Sequence, residues 1–379
     1  MSARPRVALG HHWLHAMRGG ERVLEQFCLL FPDAPIFTLF HRKKKLRGKI
    51  TEHTVYQSWL GRLPFVEKYY RGLLPVFPAA LRSLKVPPHF DLILCCDASV
   101  IKGLNFQKPT RQCCYCCSPP RYLFDLQDQY LSAMTDPLGL KRNVVGMLSP
   151  SLKRYDVKAA GRVDSFITLS AFVHERIQRI YGRESVVVEP PVDVESFSAK
   201  PEKGDFYLIV SALVPYKRVD LAIEACNHLK RRLVVIGEGP DQARLRGLAG
   251  PTIEFRGPQG FKALQSAYRD CRAFLFPGIE DFGITALEAQ AAGKQVIAIR
   301  RGGVVETVIE GRTGVFFDEQ TVASLAAAIG QFECAESSFS EADARGNADR
   351  YRPSEFRRKL KESLAASYPD LFSRYEWPI

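Results

Sequence analysis

The sequence predicts an α/β protein made of two successive doubly wound units, each a parallel sheet with helices on both faces. Three observations carry that expectation: the length, an alternation of short apolar strands with amphipathic helical stretches that runs twice, and a proline-rich break between the two runs. A chain of 379 residues with 46% hydrophobic composition is long enough for two cores. In the first run the strand candidates are VALG, IFTL, LILC, QCCYC and FITL, with helices expected over 21–31 and 171–181. The alternation restarts at Tyr207: YLIVSA, a helix over 219–229, LVVIG, a helix, IEF, a helix, FLF, a helix and VIAI. Between the runs, VVVEPPVDVESFSAKPEKGD interrupts the periodicity and marks a hinge near 190–205. The expected division is therefore residues 1–195, 196–352, and a helical segment 353–379 that starts at Pro353 and returns toward the first unit. Residues 40–90, rich in proline and aromatics, read as an insertion of short helices outside the first sheet.

The start MSARPRVALGHHW lacks a charged segment leading into an apolar run, and no stretch approaches the roughly eighteen apolar residues of a membrane span. A cytoplasmic chain that does not cross the membrane is expected. Ten cysteines include Cys95, Cys96, Cys113, Cys114, Cys116 and Cys117; zinc thiolates are one reading, and buried parallel strands using cysteine as a small hydrophobe are the preferred one. The formal charge of +12 is unevenly spread: 28 Lys and Arg stand against 15 Asp and Glu up to residue 190, and 25 against 26 after it. The densest run is Arg42, Lys43, Lys44, Lys45, Arg47 and Lys49, which suits anionic lipid, a phosphorylated acceptor, nucleic acid or an ordinary solvated loop. No zinc-finger spacing, aromatic RNA-binding signature or basic heptad accompanies the charge, so nucleic acid is not an expected partner.

The segment AFLFPGIEDFGITALEAQAAG holds the most chemistry. A buried strand ends at Pro277, a loop carries Glu280, and a helix opens after Gly283. Ligands of open α/β sheets bind at the carboxyl ends of strands, and the first amides of a helix suit a phosphate. Glu280 and Glu288 could each hold a different hydroxyl. Thr285 and Glu288 also have capping-box spacing, so Glu288 could instead satisfy an amide at the helix start; the spacing does not choose. Gly19 and Gly20 leave a similar choice between a flexible turn close to a ligand and the simple start of a helix.

EDFGITALE matches the E-x7-E motif, and the chain resembles the retaining glycosyltransferases of family 4, whose GT-B fold sets two facing Rossmann-like domains with parallel sheets about an interdomain cleft. WLHAMRGGE resembles that family's glycine-rich turn, PYKRVDLAIEA its phosphate-binding lysine motif, IGEGPDQARL the turn beside the nucleobase, and RGGVVETVIEGRTGVFF the closing segment of the donor domain. YCCSPPRYLFDL and GRLPFVEKYYRGLLP are similar to a bacterial subgroup with GDP-mannose-dependent mannosyltransferases of surface-polysaccharide assembly. The resemblance assigns Glu288 to the donor ribose and Glu280 to hydroxyls of the transferred sugar. It puts Lys217 on the diphosphate with the amides of Phe282, Gly283 and Ile284, Thr285 and Arg218 nearby, and Gly237, Glu238 and Gly239 by the base. On the N-terminal side of the cleft it places Gly19, Gly20, Cys117 and Arg121.

These assignments imply a metal-independent hexosyltransferase with no cofactor, taking a nucleotide diphosphate sugar and a saccharide acceptor, lipid-linked at the inner face of the membrane. A lysine and a helix terminus stabilise a departing diphosphate without a metal, and no Asp-x-Asp pair is present. Three positions depart from the subgroup: Cys117 stands where its histidine is usual, Ala212 where a second basic residue is common, and His12 where it has an acid. Cys117 and Ala212 keep a degenerate nucleotide-sugar-binding protein in play, and a nucleotide-sugar epimerase of the same architecture is a further reading against which the E-x7-E segment speaks.

Overall fold

The computed structural model describes residues 5–127, 140–197, 202, 204–373 and 375–377. The chain divides into two compact units, one formed by Met1–Pro190 with Phe356–Ile379 and the other by Pro191–Glu355. The division thus falls at Pro191 and Phe356, a few residues from the boundaries expected at 196 and 353.

The first unit holds β1 (Val7–His11), β2 (Ile36–Thr38), β3 (Val55–Gln57), β4 (Leu92–Asp97), β5 (Arg111–Cys116), β6 (Ser165–Thr168) and β7 (Val186–Val187). They form one sheet in the order β3-β2-β1-β4-β5-β6-β7. Every pairing in it is parallel. A parallel sheet is covered on both faces, so its central strands are continuously apolar, and β1 and β4 are buried at every position. The cysteines follow from this rule. Cys95 and Cys96 lie in β4, and Cys113, Cys114 and Cys116 in β5, all buried and reduced. β3 corrects one expectation: it lies within 40–90 and extends the sheet edge, while the rest of that stretch is short helical turns. Three residues of VYQ are too few to show a period of two.

The second unit holds β8 (Phe206–Val210), β9 (Arg232–Ile236), β10 (Ile253–Gly257), β11 (Ala273–Phe276), β12 (Val296–Ile299) and β13 (Gly314–Phe317). Their order is β10-β9-β8-β11-β12-β13, again all parallel. One core packs Tyr207, Ile209, Val235, Leu275, Ile297 and Val315 with Ile223 and Phe332 from the helices Val219–Leu229 and Val322–Ala335. The alternate residues Leu208, Val234, Phe274 and Val296 are buried as well, as a sheet covered on both faces requires.

Local chemistry sets the helix ends. Helix Ala171–Tyr181 starts where the Ser170 hydroxyl accepts from the Val173 amide at 3.1 Å, and stops at Gly182 with φ +62°. The terminal helix Pro353–Ser367 packs its apolar stripe of Phe356, Leu360 and Leu364 into the first unit. Phe356 lies 6.3 Å from Phe27 and 5.7 Å from Tyr115, ring to ring. Farther on, Arg111 forks onto Asp370 at 2.9 and 2.7 Å. Among the described residues no helix is long and apolar enough to cross a membrane.

Candidate active site

In each sheet the strand order reverses at one point, between β1 and β4 in the first unit and between β8 and β11 in the second. Loops leave such a point in opposite directions and open a crevice at the carboxyl ends of the strands. Sequence-selected residues stand at both crevices.

Four loops of the second unit converge beyond β8, β9, β11 and β12. After β8 the chain makes a single turn, Pro215–Lys217, with proline fixing its first φ. The loop after β9 lies against it: the Leu213 amide donates to Glu238 O at 2.9 Å, and the Asp241 amide donates to Leu213 O at 3.1 Å. Gly237 makes this approach possible, with φ +137° and a position where a Cβ would stand 1.9 Å from Ser211 O. Gly239 is as tightly placed, 2.2 Å from Leu213 O by the same measure, and Glu238 between them is exposed.

The loop after β11 closes on the same point. A Cβ at Gly278 would lie 2.8 Å from Lys217 Cα, so these backbones touch. The Lys217 ammonium forms an ion pair with the Glu280 carboxylate, both groups mostly buried. Glu280 O in turn accepts from the Gly303 amide of the β12 loop at 2.9 Å. Lys217 and Glu280, distant in sequence, are thereby in direct contact.

Gly283, at φ +104°, caps helix Ile284–Ala291. The amides of Ile284 and Thr285 precede the first intrahelical donors, since Ala286 and Leu287 are the first to bond back to Gly283 O, at 3.0 and 3.3 Å. Phe282 is buried behind them, its ring 5.6 Å from that of Tyr351. This geometry decides the capping question. The N-cap is Gly283 and the third helical residue is Ala286, so Thr285 lies inside the helix and Glu288 a full turn in. The Glu288 side chain, 5% exposed, accepts from the Tyr268 hydroxyl at 2.9 Å instead. Arg218, in the left-handed region at φ +52°, directs its Nε to Asp220 Oδ1 at 3.2 Å. The cation paired with Glu280 is Lys217, while the Arg218 Nε pairs with its neighbour Asp220.

In the first unit, Gly19 and Gly20 open helix Gly19–Leu30, and the Arg18 amide donates to Glu21 at 3.1 Å. The pair therefore forms the first residues of a helix. The close approach remains, because a Cβ at Gly20 would stand 3.2 Å from His11 Nε2. Cys117 follows β5; its amide donates to Asp97 O at 2.7 Å and its sulfur lies 3.5 Å from that of Cys96. Arg121 begins the short helix Arg121–Phe124 behind Pro120 and is half-buried.

Sequence reasoning noted His12 only as a departure from the subgroup and passed over His11 and His15 beside it. His11 and His12 stack at 4.3 Å and are buried, as is His15. Burial lowers the pKa of all three, most strongly for His12, where the His11 charge adds to it. His15 is brought down to about 4 by burial and by the charges of Arg18 and Lys45. Three histidines within HHWLH were the available signal. Tyr268, the partner of Glu288, was also missed, and nothing in YRDC marks it.

Comparison with known proteins gives this geometry a setting. Residues 193–348 match the family described as Glycosyl transferases group 1. An uncharacterized glycosyltransferase, MJ1178 of Methanocaldococcus jannaschii, is 30% identical over 193 residues, 49% of this chain and 52% of that protein. The GDP-mannose-dependent alpha-(1-6)-phosphatidylinositol monomannoside mannosyltransferase of Mycolicibacterium smegmatis is 29% identical over 195 residues, 43% of this chain and 51% of its own. The chain thus spans about half the length of the curated relatives it matches. Among solved structures, Anabaena Alr3699/HepE in complex with UDP and glucose superposes with a TM-score of 0.68 at 16% identity, covering 96% of this chain and 100% of that one. The fold is therefore that of two Rossmann-like domains with parallel sheets, shared with GT-B structures.

Proposed function

We propose that the protein is a retaining, metal-independent glycosyltransferase that moves a hexose, with mannose favoured, from a nucleotide diphosphate sugar to a lipid-linked saccharide or another envelope glycan. The observation that carries this reading is the contact of Lys217 with Glu280 beside the helix start at Gly283, inside the stretch that matches the glycosyl transferases.

The proposed mechanism follows from the charges. The donor diphosphate takes Lys217 from Glu280, and the Ile284 and Thr285 amides add the partial positive charge of a helix start. Glu280, released, accepts hydroxyls of the transferred sugar, and Glu288 holds the ribose. Negative charge grows on the diphosphate as the glycosidic bond breaks, and these donors are already oriented toward it. The acceptor hydroxyl attacks the anomeric carbon on the face the diphosphate leaves, so configuration is retained. Its proton passes to the leaving phosphate oxygen, and no protein nucleophile is used. Aligning the two substrates removes several kcal/mol of barrier. Gly19, Gly20, Cys117 and Arg121 are proposed to serve the acceptor side, and Gly237, Glu238 and Gly239 the base.

Mannose is favoured by the subgroup resemblance and by the name of the mycobacterial relative. UDP-hexoses follow, since Alr3699/HepE was solved with UDP and glucose. A peripheral place on the cytoplasmic face of the membrane suits the basic excess of the first 190 residues. The test is a thermal-shift screen of GDP, UDP, ADP and dTDP sugars. A donor at a hundred times its dissociation constant stabilises the native state by about 2.7 kcal/mol. The reading expects one nucleotide class to do so, and turnover of that donor to persist in EDTA. No shift with any donor, or loss of turnover in EDTA restored by manganese, contradicts it.

A further inference from the structure

Residues 42–76 of the first unit combine basic charge with exposed aromatic side chains. Nine Lys and Arg stand there against Glu52 and Glu67. Lys43, Lys44 and Lys45 make one exposed turn with no buried residue. Beside it the Phe65 ring is 65% exposed and Tyr69 42%. Phe65 is held in the left-handed region at φ +50°, a conformation costly for a side chain with a Cβ, so the backbone here is strained while the ring faces solvent.

The two features form one patch. Arg42 donates to Leu63 O at 3.0 Å and to Glu67 Oε2 at 2.8 Å, which clips the aromatic turn to the lysine turn. Lys45 reaches the other oxygen of Glu67 at 3.9 Å, so the acid beside the aromatic tip is matched by two cations. Lys68 Nζ stands 5.1 Å from the centroid of the Phe65 ring. Tyr69 folds its hydroxyl onto Pro64 O at 2.8 Å. An exposed aromatic tip ringed by cations matches the chemistry of an anionic bilayer interface, where rings sit at headgroup depth and ammonium groups meet phosphate.

We propose that this patch is a membrane-docking face: Phe65 and Tyr69 insert among the lipid headgroups, and Lys43, Lys44, Lys45 and Lys68 bind the phosphates around them. The inference deepens the membrane part of the reading above and rests on that part alone. Lipid binding is measured without donor or transfer, so its failure leaves the donor-site reading standing.

The test uses the full chain and vesicles of phosphatidylcholine, alone or with about a third phosphatidylglycerol. The wild type is expected to sediment with the anionic vesicles only, less as salt rises. The variant Lys43→Ser/Lys44→Ser/Lys45→Ser should lose roughly a hundredfold in affinity and most of its salt dependence. Phe65→Ser/Tyr69→Ser should lose roughly tenfold with the salt dependence kept. Phe65→Trp, bound to vesicles with brominated chains, should show blue-shifted emission and quenching relative to wild type. Equal binding to neutral vesicles, no binding to anionic ones, wild-type affinity in Phe65→Ser/Tyr69→Ser, or unshifted Phe65→Trp emission in the bound state would overturn the proposal. So would binding to single-stranded RNA with no binding to vesicles.

Discussion

Lys217 and Glu280 are held together by loops rather than by sequence proximity, and their ion pair makes a specific statement about each variant. With Lys217→Ala, the growing diphosphate charge loses its cation, so turnover should drop by roughly 10² to 10³ while nucleoside affinity barely moves. With Glu280→Gln, the lysine is no longer neutralised. Affinity for the free nucleoside diphosphate should rise as sugar transfer falls. Steady-state kinetics with product-inhibition constants for both variants checks this; a fall in nucleoside diphosphate affinity in Glu280→Gln would mean that the pair is not in competition with the ligand. The residue types of this site were legible in EDFGITALE and PYKR. The capping alternative was not removable from sequence, because Thr285 and Glu288 have the spacing of a cap wherever the helix begins. The backbone, with Gly283 at φ +104° as the N-cap, puts the start at Ile284, directly behind Gly283 as expected, and so leaves Thr285 inside the helix.

At the scale of elements, β2 and the helices over 171–181 and 219–229 were legible, whereas β3, β7 and the helices Leu140–Ala160 and Val322–Ala335 were not. Helices Ala171–Tyr181 and Val219–Leu229 fall on the expected residues. β3 and β7, of three and two residues, carry no pattern and owe their existence to neighbours in the sheet. The end of β1 hides its chemistry for a related reason: His11 continues a buried strand, and its surroundings come from other elements. These histidines make stability depend on pH. His11, His12 and His15 all have pKa values lowered by burial, from an ordinary 6.5 to about 4 for His15. Below pH 6.5 the unfolded chain takes up protons that the folded chain refuses, so stability present above that pH is lost as pH falls toward 4. The urea midpoint of the first unit should therefore decrease between pH 7 and 5, and less so in His15→Phe. A midpoint flat over that range would contradict the burial of neutral rings.

At the scale of the molecule, the doubled alternation and the proline-rich break carried the architecture, and contacts between distant segments were out of reach. Phe356 shows why. The helix that begins at Pro353 reads as amphipathic, but its seat on Phe27 and Tyr115 joins residues more than two hundred positions apart. Phe356 is 2% exposed, so Phe356→Ala should cost about 3–5 kcal/mol. That loss should appear in unfolding of the first unit and leave the second unit's transition in place; differential scanning calorimetry resolves the two. Equal loss in both transitions would mean that the terminal helix serves the whole chain.

The central claim is that the crevice of the second unit holds a nucleoside diphosphate through Lys217 and Glu288, and calorimetric titration of GDP and UDP into Glu288→Gln tests it most directly. Glutamine keeps an acceptor for the Tyr268 hydroxyl, so the fold is spared. The account predicts a melting temperature close to wild type and an affinity for the preferred nucleotide lower by roughly tenfold or more, as loss of a charged hydrogen bond to ribose requires. Wild-type affinity in that variant, or no binding of either nucleotide to the native chain, would contradict it.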